Sequence, residues 1–73
     1  MKLKDIKGYI IVDCDILVED ATNDEFNYVD DFPFEDKKKM EQYKNAALVS
    51  IAPGNHGRVL VTVSINNGVF TNN

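Results

Sequence analysis

An α+β domain, with a mainly antiparallel sheet of three to five strands and one short helix packed on one face, is what this sequence predicts. Three observations carry that prediction: apolar residues alternate with period 2 in several segments, a turn-rich hexapeptide separates two of them, and only one segment carries helix start and stop signals. No Ser/Gly-rich linker, repeat or low-complexity tract interrupts the 73 residues, so they form a single domain.

Taken in order, Met1 to Lys7 spaces Leu3 and Ile6 three apart, which suits one helical turn ended by Gly8 or a short edge strand. From Tyr9 to Glu19, Ile10, Val12, Cys14, Ile16 and Val18 fall on one face, with Asp13, Asp15, Leu17 and Glu19 on the other. Asp20 to Asp24 has turn composition. Glu25 to Asp30 returns as a second strand with Phe26 and Tyr28 on one side. Asp31 to Lys44 reads as a helix with Asp31 as N-cap, an early Pro33, acids first and Lys44 last, and a narrow apolar stripe of Phe34, Met40, Tyr43 and Ala47.

Ala46 to Ile65 is the segment around which the rest is organised. Two apolar runs flank Pro53-Gly54-Asn55-His56-Gly57-Arg58 and predict a hairpin. Strict alternation puts Ala47, Val49 and Ile51 on one face of the first strand, and Val59, Val61, Val63 and Ile65 on one face of the second. Pro53 ends the first strand because it has no N–H to donate. Asn66-Asn67-Gly68 then signals a tight turn into a final strand, Val69 to Thr71.

At this size a hydrophobic core supplies only about 3–5 kcal/mol. The single cysteine, Cys14, allows no internal disulfide, and the single histidine, His56, allows no zinc set. Self-association into a homo-oligomer is therefore the expected supplement, with no cofactor. The N-terminus lacks a long apolar h-region and no stretch approaches the roughly 20 apolar residues of a bilayer span, so a cytoplasmic protein with no membrane partner is expected.

Charge is distributed unevenly. The net charge is only −4, yet between Gly8 and Asp36 lie Asp13, Asp15, Glu19, Asp20, Asp24, Glu25, Asp30, Asp31, Glu35 and Asp36 without one lysine or arginine. Such a run repels nucleic acid and membranes and steers toward a basic partner. It also serves as a plain solubilising face. Asp13, Asp15, Glu19, Asp20, Asp30 and Asp31 are the candidate protein-binding residues.

Other constellations are thinner. Asp13 and Asp15 sit about 7 Å apart along a strand face, which suggests a divalent-metal enzyme only if further oxygens converge. The acids from Asp20 to Asp31 lack the glycine that a calcium loop needs at its sixth position, where Glu25 stands. His56 and Arg58 between glycines form a candidate anion site for a phosphorylated nucleotide, against the simpler reading of a polar hairpin tip. Cys14 falls on the apolar face as a core residue. Lys37-Lys38-Lys39 is too short for a nucleic-acid footprint.

The succession of an aliphatic strand, an acidic aromatic segment, Phe32-Pro33, a lysine-rich helix and Tyr43-Lys44-Asn45-Ala46-Ala47-Leu48-Val49-Ser50-Ile51-Ala52-Pro53 resembles small uncharacterised accessory proteins of bacterial phages and prophages. That resemblance implies an intracellular, non-enzymatic role, among which inhibitors of host defence such as anti-CRISPR proteins are found. Two functions follow as expectations. The first is an interaction protein whose acidic surface occupies a basic, nucleic-acid-binding groove of a target protein. The second is an oligomeric module binding a phosphorylated nucleotide through His56 and Arg58.

Overall fold

The computed structural model describes residues 1–6, 8, 13–22 and 25–65. In chain order the elements are α1 (Leu3–Ile6), β1 (Cys14–Thr22), β2 (Glu25–Pro33), α2 (Lys37–Gln42), β3 (Ala47–Pro53) and β4 (Val59–Ile65), with a short 3₁₀ turn at Asn55–Gly57. Among the described residues the four strands make one sheet in the order β2-β1-β4-β3. The outer pairs, β1·β2 and β3·β4, are antiparallel, and the central pair, β1·β4, is parallel. The sheet is thus mixed, and besides the helix expected to pack on one face, the Met1–Lys7 segment takes its helical alternative as α1.

Both helices cover the same sheet face. Leu3 and Ile6 of α1, Cys14, Ile16 and Val18 of β1, Phe32 of β2, Met40 of α2, Ala46, and Val61 and Val63 of β4 form the buried core. Thr62 and Ser64 point to the opposite face of β4 and are also buried, short side chains set between Leu17 and Ser50 and between Glu19 and Ala47 of the flanking strands. Cys14 is 1% exposed, and burial pushes its thiol pKa up, as befits a packed core residue.

The second strand runs three residues further than its alternation predicts and takes in Asp31, Phe32 and Pro33. A proline disfavours helical backbone in the residue before it, so Phe32 stays extended and the helix cannot begin there. Pro33 sits on an edge strand, where its missing N–H costs little. The chain then turns, with Asp36 N–H donating to the Pro33 carbonyl at 3.0 Å. Asp36, not Asp31, is the N-cap of α2, its carboxylate accepting from Lys39 N–H at 3.1 Å. The first strand likewise extends to Thr22, through residues that have turn composition; the expected strand positions 9–12 lie outside the described residues.

The hairpin from Ala46 to Ile65 is present, with one change of face. A register shift between Leu48 and Ser50 places Leu48 opposite Val63 and Ile51 opposite Val61. Leu48 therefore packs against the core while Val49 is 46% exposed, the reverse of strict alternation. The hairpin loop closes through Gly54 N–H to the Arg58 carbonyl at 2.8 Å, with His56 at φ 56° and Gly57 at φ 75° in the left-handed region. The expected turn at Asn66-Asn67-Gly68 and strand at Val69–Thr71 lie outside the described residues.

Truncating a fully buried aliphatic side chain costs about 2–5 kcal/mol, comparable with all that a core of this size supplies. Ile16, which is 0% exposed, is such a residue. Ile16→Ala is expected to abolish the cooperative urea transition at 25 °C as followed by circular dichroism. A retained transition with a midpoint close to that of the parent would contradict this packing.

Candidate protein-binding surface

Because Ile16 and Val18 point at the helices, their neighbours Asp15, Leu17 and Glu19 point to the opposite face. The β1·β2 register sets Asp31 across from Leu17 and Tyr28 across from Glu19, so these four share that opposite face, with Phe26 beyond them across from Ala21. A bulge makes this possible. Val18 pairs with Asp30 and Glu19 with Tyr28, leaving Val29 as the extra residue of β2. Tyr28 Oη donates to Asp31 Oδ2 at 2.7 Å, and that bond raises the tyrosine pKa. Phe26 and Tyr28 are 61% and 65% exposed, unusual for aromatic side chains on a sheet.

Asp30 faces the other way, toward α2. Its carboxylate accepts from Lys39 Nζ and, at 3.2 Å, from Tyr43 Oη, while its other oxygen accepts from Asp31 N–H at 2.8 Å. The lysine bond chiefly holds the Asp30 pKa below its ordinary value and raises that of Lys39. Burial and the bond to Asp30 raise Tyr43. Tyr43 also stacks on Phe32 with ring centroids 5.8 Å apart, so Asp30 and Phe32 together dock the helix onto β2.

Arg58 holds the end of the sheet beside the hairpin loop. Its Nε donates to Asp15 Oδ2 at 3.1 Å and its Nη2 to the Cys14 carbonyl at 2.9 Å, with Glu35 at 3.7 Å and Asp13 at 4.0 Å. Three carboxylates around one guanidinium leave the cluster net negative, and the bond to Asp15 raises the arginine pKa. His56 is exposed at the loop tip. The guanidinium fork is thus directed at acids of the same chain, an arrangement that repels an added anion.

The candidate residues therefore divide. Glu19 and Asp31 lie together on the exposed face with the two aromatics; Asp13 and Asp15 gather with Glu35 around Arg58; Asp30 ties down α2; and Asp20 stands toward the other end of β1, across from Asn27 and Ile65. Among the described residues no three of His, Cys, Asp and Glu converge as a metal-holding group. No described helix is long and apolar enough to cross a membrane. Sequence reasoning passed over Glu35, Lys39 and the Tyr28–Asp31 pair. The matching of Asp15 with Arg58 spans 43 residues, and no local pattern reports it. The chain matches no family model, no curated protein and no solved structure.

The Asp30 pairing makes a pH prediction. A carboxylate whose folded pKa lies below its unfolded value of 3.8 contributes stability above that value and loses it as pH falls through the folded pKa. Asp30→Asn is expected to lower the melting temperature at pH 7, with the gap to the parent closing progressively below about pH 4. A gap independent of pH would show that the lost stability does not come from the ionised carboxylate.

Proposed function

We propose that this protein is a non-enzymatic interaction protein, an anti-defence inhibitor of the anti-CRISPR-like kind encoded by phages, whose acidic surface occupies a basic, nucleic-acid-binding groove of a target protein. The observation that supports this reading is the division of the sheet by charge. Every carboxylate of the sequence precedes Gln42, and the sheet order puts the acidic strands β2 and β1 on one half and the uncharged strands β4 and β3 on the other. Lys39 and Arg58 offset part of the negative charge, but Glu19, Glu25 and Asp31 remain on the exposed β1–β2 half beside Phe26 and Tyr28.

Aromatics within an acidic surface suit a basic protein groove. The carboxylates steer the encounter, and apolar rings supply the burial that holds the complex once formed. The inward direction of Arg58 favours this reading over capture of a phosphorylated nucleotide. Self-association through uncharged β3, where Val49 and Ile51 are exposed, would leave the acidic half open to a partner.

Affinity for a target isolated from the bacterial host is expected to fall by orders of magnitude between about 0.1 M and about 1 M salt, as the screening length shrinks from about 10 Å to about 3 Å. Calorimetry at several salt concentrations checks this. An affinity that salt leaves unchanged would remove the electrostatic basis of the proposal.

A further inference from the structure

Resting on the interaction-protein reading above, the geometry points to a specific mode of binding: the free edge of β2 from Glu25 to Val29 accepts an extended basic segment of the partner as an added strand, with Phe26 and Tyr28 as its anchors. β2 is an outer strand of the sheet, and its first five residues are all exposed.

The direction of its backbone groups follows from the ladder. Phe34 N–H donates to the Cys14 carbonyl while Val59 N–H takes the Asp13 carbonyl, so the even-numbered residues of β1 turn toward β2 and the odd-numbered ones toward β4. Asp20 therefore exchanges hydrogen bonds with Asn27, and the N–H and C=O groups of the flanking Phe26 and Tyr28 point outward. Further along, Asp31 N–H is already taken by the Asp30 side chain at 2.8 Å, and Pro33 has no N–H. The open stretch of donors thus coincides with the exposed aromatics.

The other edge of the sheet is less available. Lys2 bridges to Ala47, and Leu48 N–H donates to the Met1 carbonyl at 2.7 Å, so the N-terminal segment covers the start of β3; Pro53 ends it.

Charge selects the occupant. A second copy offering its own β2 would lay one acidic edge along another, with no lysine or arginine in β1 or β2 to stand between them. A segment rich in arginine meets the opposite case. Its guanidinium groups reach Glu19 and Asp31 on the exposed face and stack on the Tyr28 and Phe26 rings, while its backbone completes the hydrogen bonds of β2.

Three forms of one seven-residue peptide alternating arginine and threonine test this by calorimetry at low salt: the parent, a form N-methylated at odd positions and a form N-methylated at even positions. Charge is the same in all three. Strand addition predicts that one methylated form loses about tenfold or more in affinity, since the two hydrogen bonds to the Phe26 and Tyr28 carbonyls, about 1 kcal/mol each, are lost, while the other binds like the parent. It also predicts that Phe26→Ala and Tyr28→Ala weaken the parent peptide. Equal binding by all three, or equal weakening of both methylated forms, would overturn strand addition while leaving the acidic-surface reading intact. No binding by any of them would overturn both.

Discussion

The parallel contact between β1 and β4 is the constraint on which the rest of this structure depends. Two antiparallel hairpins, β1–β2 and β3–β4, are joined through α2, and they become one sheet only because β1 and β4 lie side by side in register from Cys14·Val59 to Asp20·Ile65. Parallel neighbours cannot be joined by a tight turn, so the intervening β2, α2 and β3 form the crossover. The same contact buries Ile16 and Val18 beside Val61 and Val63 beneath the helices. It also gives the molecule its electrical character, since the acidic strands β1 and β2 form one hairpin and β3 and β4, strands without a charged residue, form the other.

With so small a core, charged groups take on structural work. Asp30 draws Lys39 and Tyr43 onto the sheet and fixes α2, and Arg58 fastens the hairpin loop to the start of β1 through Asp15 and the Cys14 carbonyl. Exposed ion pairs contribute little singly. These two are partly shielded and share partners, which makes them anchors of orientation more than sources of stability. The acids they consume are lost to the surface; of those that remain, Glu19 and Asp31 share one face of the β1–β2 pair with the two exposed aromatics, and Glu25 stands at the exposed start of β2.

Much of the fold was legible in local pattern. The α+β class, the hairpin centred on Gly54–Arg58, the alternation through Cys14, Ile16 and Val18 and the burial of Cys14 all follow from period-2 spacing and turn composition. What was not legible depended on partners distant in sequence. The bulges at Val29 and Val49 change which residues face inward, and they exist only relative to the neighbouring strand. The sequence pointed to Asp31 as the N-cap of α2, but the extended bias that Pro33 imposes on Phe32 carries β2 past it, and the cap falls to Asp36. Of the candidate surface, the density of acid and aromatic side chains between Asp13 and Asp36 was readable. Its division into a structural and an exposed set was not, because Arg58 and Lys39 reach their carboxylates only after the chain folds.

The direct measurement of the central claim is nuclear Overhauser contact between β1 and β4 in solution. Parallel register predicts close backbone proton pairs linking Cys14 with Val59, Ile16 with Val61 and Val18 with Val63. Contacts that ran in the opposite order, or that placed β3 in place of β4 beside β1, would contradict the topology and with it the separation of the acidic from the uncharged strands.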